Sequence, residues 1–232
     1  MFTNYKISEI TPKEAKALIS KYHYLGSKGF RSKVCFGLFK MKDVFEYELV
    51  GCAVYHDVSA PETVVGAFGL ERNQQEGILE LGRMVLRPDH NGGNFGSFLI
   101  GRTLRELRKM NYKYVISYAS SDLHKGYLYQ ATNWKYYGGT TEKKDFYIEL
   151  EDGSIKKQER GKTKGIAGVW LNRPMKHRYA YKLQKKLDFD MLWTEQPYDK
   201  GDNGSDGVCV YCRDSKIVVD NRFNKEYTCI CQ

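Results

Sequence analysis

The sequence lacks the apolar segments that would place it in a membrane. No apolar run approaches the ~20 residues that span a bilayer, and the first six residues, Met1 to Lys6, lack the charged-then-apolar pattern of a signal peptide. We therefore expect a cytoplasmic protein without a membrane partner, whose six cysteines stay reduced. A disordered composition is absent too, because hydrophobic residues make up 41% and aromatic residues 14% of the 232 positions.

Two common phosphate-binding loops are also missing. Neither G-x-G-x-x-G nor G-x-x-x-x-G-K-[ST] occurs, which argues against a dinucleotide-binding or Walker-type loop. A different glycine-rich turn, Arg87 to Gly96, follows a predicted strand at Ile78–Leu86 and precedes a predicted helix from Ser97. Backbone amides at such a turn can bind a pyrophosphate together with the positive helix end. A purely structural turn is the alternative.

Strand and helix patterns predict one α/β domain with appendages. Thr11-Pro12-Lys13-Glu14 is a capping box that starts a helix. Tyr114–Ala119 is predicted to be an apolar strand, and Lys125–Thr132 a helix. The segment from Arg173 to Lys176 is predicted to open a short helix. One face of the strand Ile78–Leu86 is expected to carry Leu79, Leu81, Arg83 and Val85.

The positive charge is concentrated in one segment. Residues 155–186 hold eleven Lys and Arg against one acid, or +10, whereas the rest of the chain holds 26 basic and 27 acidic residues, or −1. A polyanion such as DNA is the natural partner, and a solvated basic face is the alternative. Trp170, Tyr179 and Tyr181 interleave the charges and could stack on bases. The basic residues that we expect to contact DNA are Arg160, Lys162, Lys164, Arg173, Lys176 and Arg178.

The chain divides into three predicted parts. Residues 1–154 form a core, residues 155–200 a basic extension that packs on it, and residues 201–232 a tail after a polar linker. The tail contains a C-x-x-C and a C-x-C pair, formed by Cys209, Cys212, Cys229 and Cys231. Four thiolates so spaced predict a structural zinc knuckle, with free or oxidised cysteines as the alternative.

The glycine-rich turn resembles the acetyl-CoA loop of the GCN5-related N-acetyltransferases. Asn91–Gly96 keeps the last glycine of that loop, although Asn91 and Asn94 replace its first Gln/Arg and first glycine. Asp122, Tyr129 and Trp134 stand at the intervals of the family's Asn, Tyr and aromatic residue. The resemblance implies a mixed, mostly antiparallel central sheet flanked by helices, in which Tyr129 protonates the departing thiolate. The implied acetyl-CoA contacts are Val85, Leu86, Arg87, Asn91, Gly92, Gly93, Asn94, Phe95, Gly96 and Ser97.

Several short phrases, spread over residues 5 to 185, are also similar to the Mom family of phage DNA-modification proteins. They occur in that family's order and include Lys21–Gly26, Glu80–Leu86, Tyr129–Trp134 and Lys176–Tyr179. The resemblance implies a catalytic core that uses acetyl-CoA to place a carbamoylmethyl group on N6 of adenine in double-stranded DNA. This modification hides phage DNA from restriction in the bacterial cell. An iron ion or a redox step is a further suggestion for the family.

The expected catalytic residues then receive roles. His23 could be a general base or a metal ligand and Tyr24 a face for a flipped base, unless both are a buried structural pair. Asp122 could orient the amine, accept a proton, bind a metal or simply cap a helix. Arg83 could pair with Asp122 or contact DNA. Two other functions remain open: acetyl transfer to a protein or small amine, and nucleic-acid binding without catalysis by a protein with a zinc module.

Overall fold

A computed structural model of the protein describes residues 2–43, 46–120, 126–141, 143–151, 153–159, 161–173 and 175–198, together with two short strands of the tail. The helices are α1 (Pro12–Tyr22), α2 (Pro61–Phe68), α3 (Phe95–Lys109) and α4 (Tyr127–Ala131). The strands are β1 (Tyr5–Glu9), β2 (Val34–Met41), β3 (Tyr47–Asp57), β4 (Ile78–Leu86), β5 (Tyr114–Ser120), β6 (Lys135–Gly139), β7 (Lys143–Glu149), β8 (Ile155–Lys157), β9 (Val169–Arg173), β10 (Lys176–Lys182), β11 (Ile217–Asp220) and β12 (Lys225–Thr228).

A seven-stranded sheet organises the described residues, in the order β1-β2-β3-β4-β5-β10-β6. Its neighbouring strands are antiparallel except for β4 and β5, which are parallel. The expected mixed, mostly antiparallel central sheet flanked by helices is therefore confirmed. A second sheet has the order β8-β7-β9, and β11 pairs with β12.

Alternating side chains of the central strands pack on helices on both faces. Ala53 and Tyr55 of β3 lie in one buried cluster with Leu99 and Leu104 of α3. Val54, between them, lies in another cluster with α1. Because successive strand residues point to opposite faces, α3 and α1 cover opposite sides of the sheet.

The start of α1 has the predicted capping box. The Glu14 amide donates to the Thr11 hydroxyl over 3.2 Å, and the Thr11 amide donates to the Glu14 carboxylate over 2.8 Å. Both orphan amides at the helix start are thereby satisfied.

The prediction that Leu79, Leu81 and Val85 share one face of β4 is wrong, because β4 has a β-bulge at Gly82. Val54 of β3 opposes Arg83, whereas the next residue, Tyr55, opposes Leu81, so Gly82 is the extra residue. The bulge reverses the alternation beyond it. Leu79 and Leu81 therefore share the α3 face with Met84 and Leu86, whereas Val85 packs on the α1 side.

The segment around residue 174 connects two strands, so the predicted helix there is wrong. β9 ends at Arg173 and β10 begins at Lys176, where it enters the central sheet between β5 and β6. The alternating buried and exposed residues of β10 suit a strand with a buried neighbour on each side. The predicted boundary at 154/155 falls between β7 and β8, which pair with each other in the second sheet.

No described helix is long and apolar enough to cross a membrane. The tail cysteines Cys209, Cys212, Cys229 and Cys231 lie outside the described residues, as does the linker before them.

Candidate active site

The parallel strands β4 and β5 diverge and leave an opening in the sheet. Their pairing covers only Ile78–Glu80 against Tyr114–Ile116. Beyond that point β4 continues to Leu86 and β5 to Ser120, and these described segments do not pair with each other. Backbone groups on the inner edges of both strands therefore face the opening.

The Leu86 amide faces this opening, and the Val85 amide does not. The Arg87 amide donates to the Val50 carbonyl of β3 over 2.8 Å. Amides of successive residues in an antiparallel pair point to alternate edges. The register, which places Leu86 opposite Gly51, thus directs the Val85 amide toward β3 and the Leu86 amide away from it. Leu86 can consequently donate to a carbonyl oxygen held between β4 and β5.

The turn between β4 and α3 exposes the amides of the helix N-terminus. Gly92, with φ of 134°, and Gly93, with φ of 51°, bring the chain round in conformations that favour glycine. The first helical bond runs from the Phe98 amide to the Asn94 carbonyl over 2.9 Å, and the Asn94 side chain makes no capping bond. The Gly96 and Ser97 amides consequently point out of the helix end, where an anion can bind.

The beginning of this turn is fixed by side-chain contacts. Arg87 forms a short ion pair with Glu48 and two bonds of 3.1 Å with Asp89. The Tyr5 hydroxyl lies 3.2 Å from His90 Nε2, and the rings of Tyr5 and Phe95 pack with centroids 4.9 Å apart. Arg87 is thus engaged within the protein, whereas the amides further along the turn are available to a ligand.

A groove leads from this turn along α3 toward α4. Its cavity volume is about 380 Å³, and Asn94, Ser97, Gly101 and Arg105 of α3 line one side. Ala131, Thr132 and Asn133 line the other side. The volume falls in the ~300–1,000 Å³ range of small-molecule sites, so the groove can hold a large part of a coenzyme.

Tyr129 is buried beside the opening in a chain of hydroxyl groups. Its hydroxyl lies 2.9 Å from Ser117 Oγ, which itself donates to the Leu81 carbonyl over 3.1 Å. Because Ser117 has one proton, Tyr129 must donate to Ser117. The Tyr129 ring stacks on Tyr179 with centroids 4.2 Å apart and meets Trp134 edge-on at 5.2 Å.

Burial raises the pKa of Tyr129 to about 12, although the Ser117 bond partly opposes the shift. Weaker electrostatic effects of Tyr24 and Glu80 raise that pKa further. Alkyl thiols such as cysteine have pKa values near ~8.5. Tyr129 can therefore stabilise a leaving thiolate with a hydrogen bond, but complete transfer of its proton would be uphill.

His23 and Tyr24 follow α1 as a stacked pair. Their ring centroids are 4.5 Å apart, and His23 Nδ1 accepts a 3.1 Å hydrogen bond from the Leu25 amide. His23 in this state carries a proton on Nε2 and offers it as a donor. Tyr24 is 53% exposed, so the alternative of a buried structural pair does not hold for its ring.

Arg83 attaches the loop after α1 to β4. Its guanidinium donates to the Lys28 carbonyl over 3.2 Å and to the Gly82 carbonyl over 2.7 Å. Arg83 thereby positions the segment that carries His23 and Tyr24. Its expected partner Asp122 lies outside the described residues.

Two residues at the opening were missed by sequence reasoning. Glu80 of β4 accepts a 3.0 Å hydrogen bond from the Ser59 amide, on the sheet face opposite Leu79 and Leu81. Ser117 of β5 is 1% exposed and holds Tyr129. Each polar residue interrupts an apolar strand, and this interruption was the available signal.

Lys176 of β10, expected to contact DNA, lies near Glu80. Desolvation lowers the pKa of Lys176, and the Glu80 carboxylate opposes this shift. The arrangement gives the opening one acidic and one basic group on the face opposite α3.

The remaining basic candidates differ in their surroundings. Arg173 binds Asp145 through two hydrogen bonds, and Arg178 lies over the Trp193 ring at 4.7 Å. Lys162 and Lys164 are exposed. Arg160 lies outside the described residues. Among the expected stacking residues, Trp170 is 55% exposed, whereas Tyr179 is 2% exposed and so cannot stack on a base.

Metal binding has no support within the part of the chain that the structure describes. No group of three or more His, Cys, Asp or Glu there could hold an ion. The expected zinc ligands and Asp122 are outside that part.

The protein thus has a mixed α/β fold, in which the exposed N-terminus of α3 lies next to the opening between β4 and β5. The chain belongs to the Mom protein family, whose profile matches residues 4–200. A search of curated proteins finds no match.

Among solved structures, the chain is similar to the ribosomal-protein-S18-alanine N-acetyltransferase of Escherichia coli, with 13% identity over 79% of this chain and 97% of that one and a TM-score of 0.46. A putative acetyltransferase of Salmonella typhimurium with acetyl-CoA shows 11% identity over 79% and 96%, with a TM-score of 0.46. An Elizabethkingia anophelis GNAT family acetyltransferase with bound acetyl-CoA shows 14% identity over 78% and 99%, with a TM-score of 0.45.

Proposed function

We propose that the protein is a phage DNA-modifying transferase that uses acetyl-CoA to modify the N6 amine of adenine. The residues of the site would perform the steps of acyl transfer; the carbamoylmethyl-type product that resemblance to the Mom family implies needs, in addition, a source of amide nitrogen and an oxidation that forms a bond to the methyl carbon. The observation that carries the proposal is the β4–β5 opening, which joins the free amides of α3 to buried Tyr129. The modification would protect phage DNA from host restriction.

The proposed coenzyme site combines the turn and the groove. The amides of Gly96 and Ser97 would hold the diphosphate, because helix-terminal amides bind anions without further charge. The Leu86 amide would polarise the thioester carbonyl. Acetyl-CoA supplies an activated acyl group, and the residues around it bind and orient that group.

The acceptor amine would approach from the opposite face of the sheet. The strand registers put Glu80 and Lys176 on that face, and the His23–Tyr24 pair would stand beside the same opening. Glu80 would take the proton that the amine loses, and Tyr129 would donate a hydrogen bond to the leaving thiolate. His23, with Nδ1 bonded to the Leu25 amide and a proton on Nε2, would donate a hydrogen bond rather than act as the base that its sequence position suggested. Asp122 keeps its proposed role of orienting the amine.

The base must leave the duplex to reach this site. An adenine stacked in double-stranded DNA does not expose its N6 group to a buried opening, so the enzyme would flip it out. The exposed Tyr24 ring offers a flat face at the entrance. Exposed Lys162 and Lys164 would bind phosphates, which hold the duplex without reading its sequence.

Mass spectrometry of nucleosides from plasmid DNA tests the proposal. We expect a new adenosine species when the protein is expressed in bacteria, and at least a ~10-fold decrease with Tyr129→Phe, since one lost transition-state hydrogen bond costs about 1.4 kcal/mol or more. Asp122→Ala should also abolish the species. Tyr112→Phe removes a hydroxyl outside the opening and should leave it unchanged. Unmodified adenosine in cells that contain folded wild-type protein would contradict the proposal.

Acetyl transfer to a protein or small amine is the second candidate. Arg173 binds Asp145 and Arg178 lies over the Trp193 ring, so less basic charge is available to DNA, which favours this second candidate. A mobility shift that weakens steeply with salt would separate DNA modification from this function.

A further inference from the structure

A cleft lies on the three-stranded sheet β8-β7-β9, which is separate from the strands that form the opening. Phe146 of β7 and Trp170 of β9 are cross-strand partners whose ring centroids are 5.2 Å apart at 56°. Phe146 is 7% exposed, whereas Trp170 is 55% exposed. A cavity of about 270 Å³, which we term the Trp170 cleft, lies between these rings and the loop residues Gln158, Glu159, Gly161 and Thr163.

The Trp170 cleft is held in shape by backbone and ionic contacts. The Gln158 amide donates to the Phe146 carbonyl over 2.8 Å and draws the loop over the sheet. A side chain at Gly168 would overlap the Phe146 ring, so a glycine is required there. On the other face, buried Asp145 of β7 accepts hydrogen bonds from Arg173 and Lys157, and thereby ties the three strands together. A preformed cleft costs a ligand little ordering free energy.

Charge around the Trp170 cleft favours a polyanion. Because side chains alternate along a strand, Lys144 and Lys156 lie on the same sheet face as Phe146 and Trp170. Asp145 and Glu159 also line the cavity, but by the same alternation the carboxylates of Asp145 and Glu149 lie on the opposite face, where Asp145 binds Arg173 and Lys157. Glu159 in the loop is paired with Lys162 at 2.6 Å.

An exposed aromatic ring flanked by lysines is the arrangement that binds single-stranded nucleic acid, through stacking and phosphate contacts. The cavity volume of about 270 Å³ is below the ~300 Å³ at which drug-sized ligand sites begin, so it suits one base better than a whole coenzyme. The small cavity favours a single nucleobase as the ligand. The flanking lysines favour a base that is part of a longer strand with phosphates.

We propose that the Trp170 cleft binds one unpaired base of the DNA, stacked on Trp170, while its neighbouring phosphates contact Lys144 and Lys156. The inference rests on the proposed function in taking DNA as the substrate. The bound base would differ from the reacting one, since Tyr129 of α4 and Glu80 of β4 lie at the opening of the central sheet. The cleft would thus hold the strand that base flipping disturbs.

Titration with a short single-stranded oligonucleotide, followed by intrinsic fluorescence and by anisotropy of a labelled strand, tests the inference. Trp134 is 1% exposed and Trp193 is half-buried, so Trp170 should dominate any quenching. We expect quenching in the wild-type protein and in Trp193→Phe, but not in Trp170→Phe. Trp170→Ala should bind about 5- to 100-fold more weakly, the range expected for one stacked base, whereas Trp170→Phe should retain most of the affinity.

Three results would overturn the inference. They are affinity of Trp170→Ala equal to that of wild type, quenching that persists in Trp170→Phe, and equal quenching by heparin, which has charge but no bases. Thermal melting of each variant, together with the retained affinity of Trp170→Phe, excludes misfolding as the reason for weaker binding. The nucleoside measurement decides the proposed function separately, because it can fail while Trp170 still binds a base.

Discussion

A buried hydroxyl chain controls the protonation of Tyr129. Ser117 donates its single proton to the Leu81 carbonyl, so the Tyr129 hydroxyl must donate to Ser117. With its pKa raised to about 12 by burial, Tyr129 stays neutral throughout the physiological range. Loss of activity at alkaline pH below the pKa of Tyr129 would consequently have to come from another group, of which Lys176, whose pKa is lowered by desolvation, is one candidate.

The ion pairs of Asp145 make the stability of the protein depend on pH. Arg173 and Lys157 hold the pKa of buried Asp145 well below its ordinary value, although burial opposes them. A depressed folded-state pKa stabilises the protein above the unfolded pKa of ~3.9, and the contribution is lost as pH falls through the folded value. Asp145→Asn should lower the free energy of unfolding by about 2 kcal/mol at pH 7, less than the ~3–5 kcal/mol of fully buried pairs because Lys157 is half exposed.

Urea unfolding at pH 7 and at pH 3 measures this effect. The difference between wild type and Asp145→Asn should shrink at the lower pH. The control is Glu149→Gln, which changes a carboxylate of the same strand that does not bind Arg173 and Lys157. It should lower the free energy of unfolding by less than ~0.5 kcal/mol. A difference between the Asp145 variant and wild type that is independent of pH would show that packing, rather than charge, stabilises the small sheet.

At the scale of elements, the bulge at Gly82 determines which β4 groups reach the opening. Without the extra residue, Met84 and Leu86 would exchange faces with Val85, and the Leu86 amide would no longer alternate into the opening. The bulge needs glycine, because a side chain at this position would overlap the His56 imidazole.

Gly82→Ala should therefore lower the free energy of unfolding by about 2 kcal/mol, as overpacking of a core does. His56→Ala on the Gly82→Ala background should recover part of the loss, since it removes the obstructing ring. Gly66→Ala provides a control of opposite sign: Gly66 lies inside α2 with open space around it, and alanine there should add ~0.5–1 kcal/mol. Equal stability of Gly82→Ala and wild type in thermal unfolding would show that the bulge can move.

Local signals and distant contacts explain which elements the sequence could predict. The capping box at Thr11, the turn before α3 and the apolar strand β5 depend on adjacent residues, and all three were predicted. The bulge depends on His56 of a neighbouring strand. The place of β10 depends on pairing with β5, more than fifty residues earlier in the chain. This pairing also brings Lys176 of β10 to the face of the sheet that carries Glu80.

The whole molecule distributes its charge differently from what the sequence count indicates. Residues 155–186 carry +10, yet this segment contributes both to the small sheet and, through β10, to the middle of the central sheet. Several of its cations bind internal partners, including Arg173 with Asp145 and Lys182 with Asp190. Exposed Lys162 and Lys164 are among the cations of this segment that a polyanion can reach, and Lys162 also pairs with Glu159 in the same loop.

This distribution predicts how salt should affect DNA binding. Each phosphate neutralised contributes about 0.9 to the slope of log K against log salt for duplex DNA. Replacing Lys162 and Lys164 together with alanine should reduce the slope by about 2 and weaken binding uniformly across sequences, because phosphate contacts carry no sequence information. Replacing exposed Lys13 and Lys16 of α1 also removes two charges, but outside the basic segment, and should leave the slope unchanged. If both double variants lowered the slope equally, binding would depend on the net charge of +9 rather than on this loop.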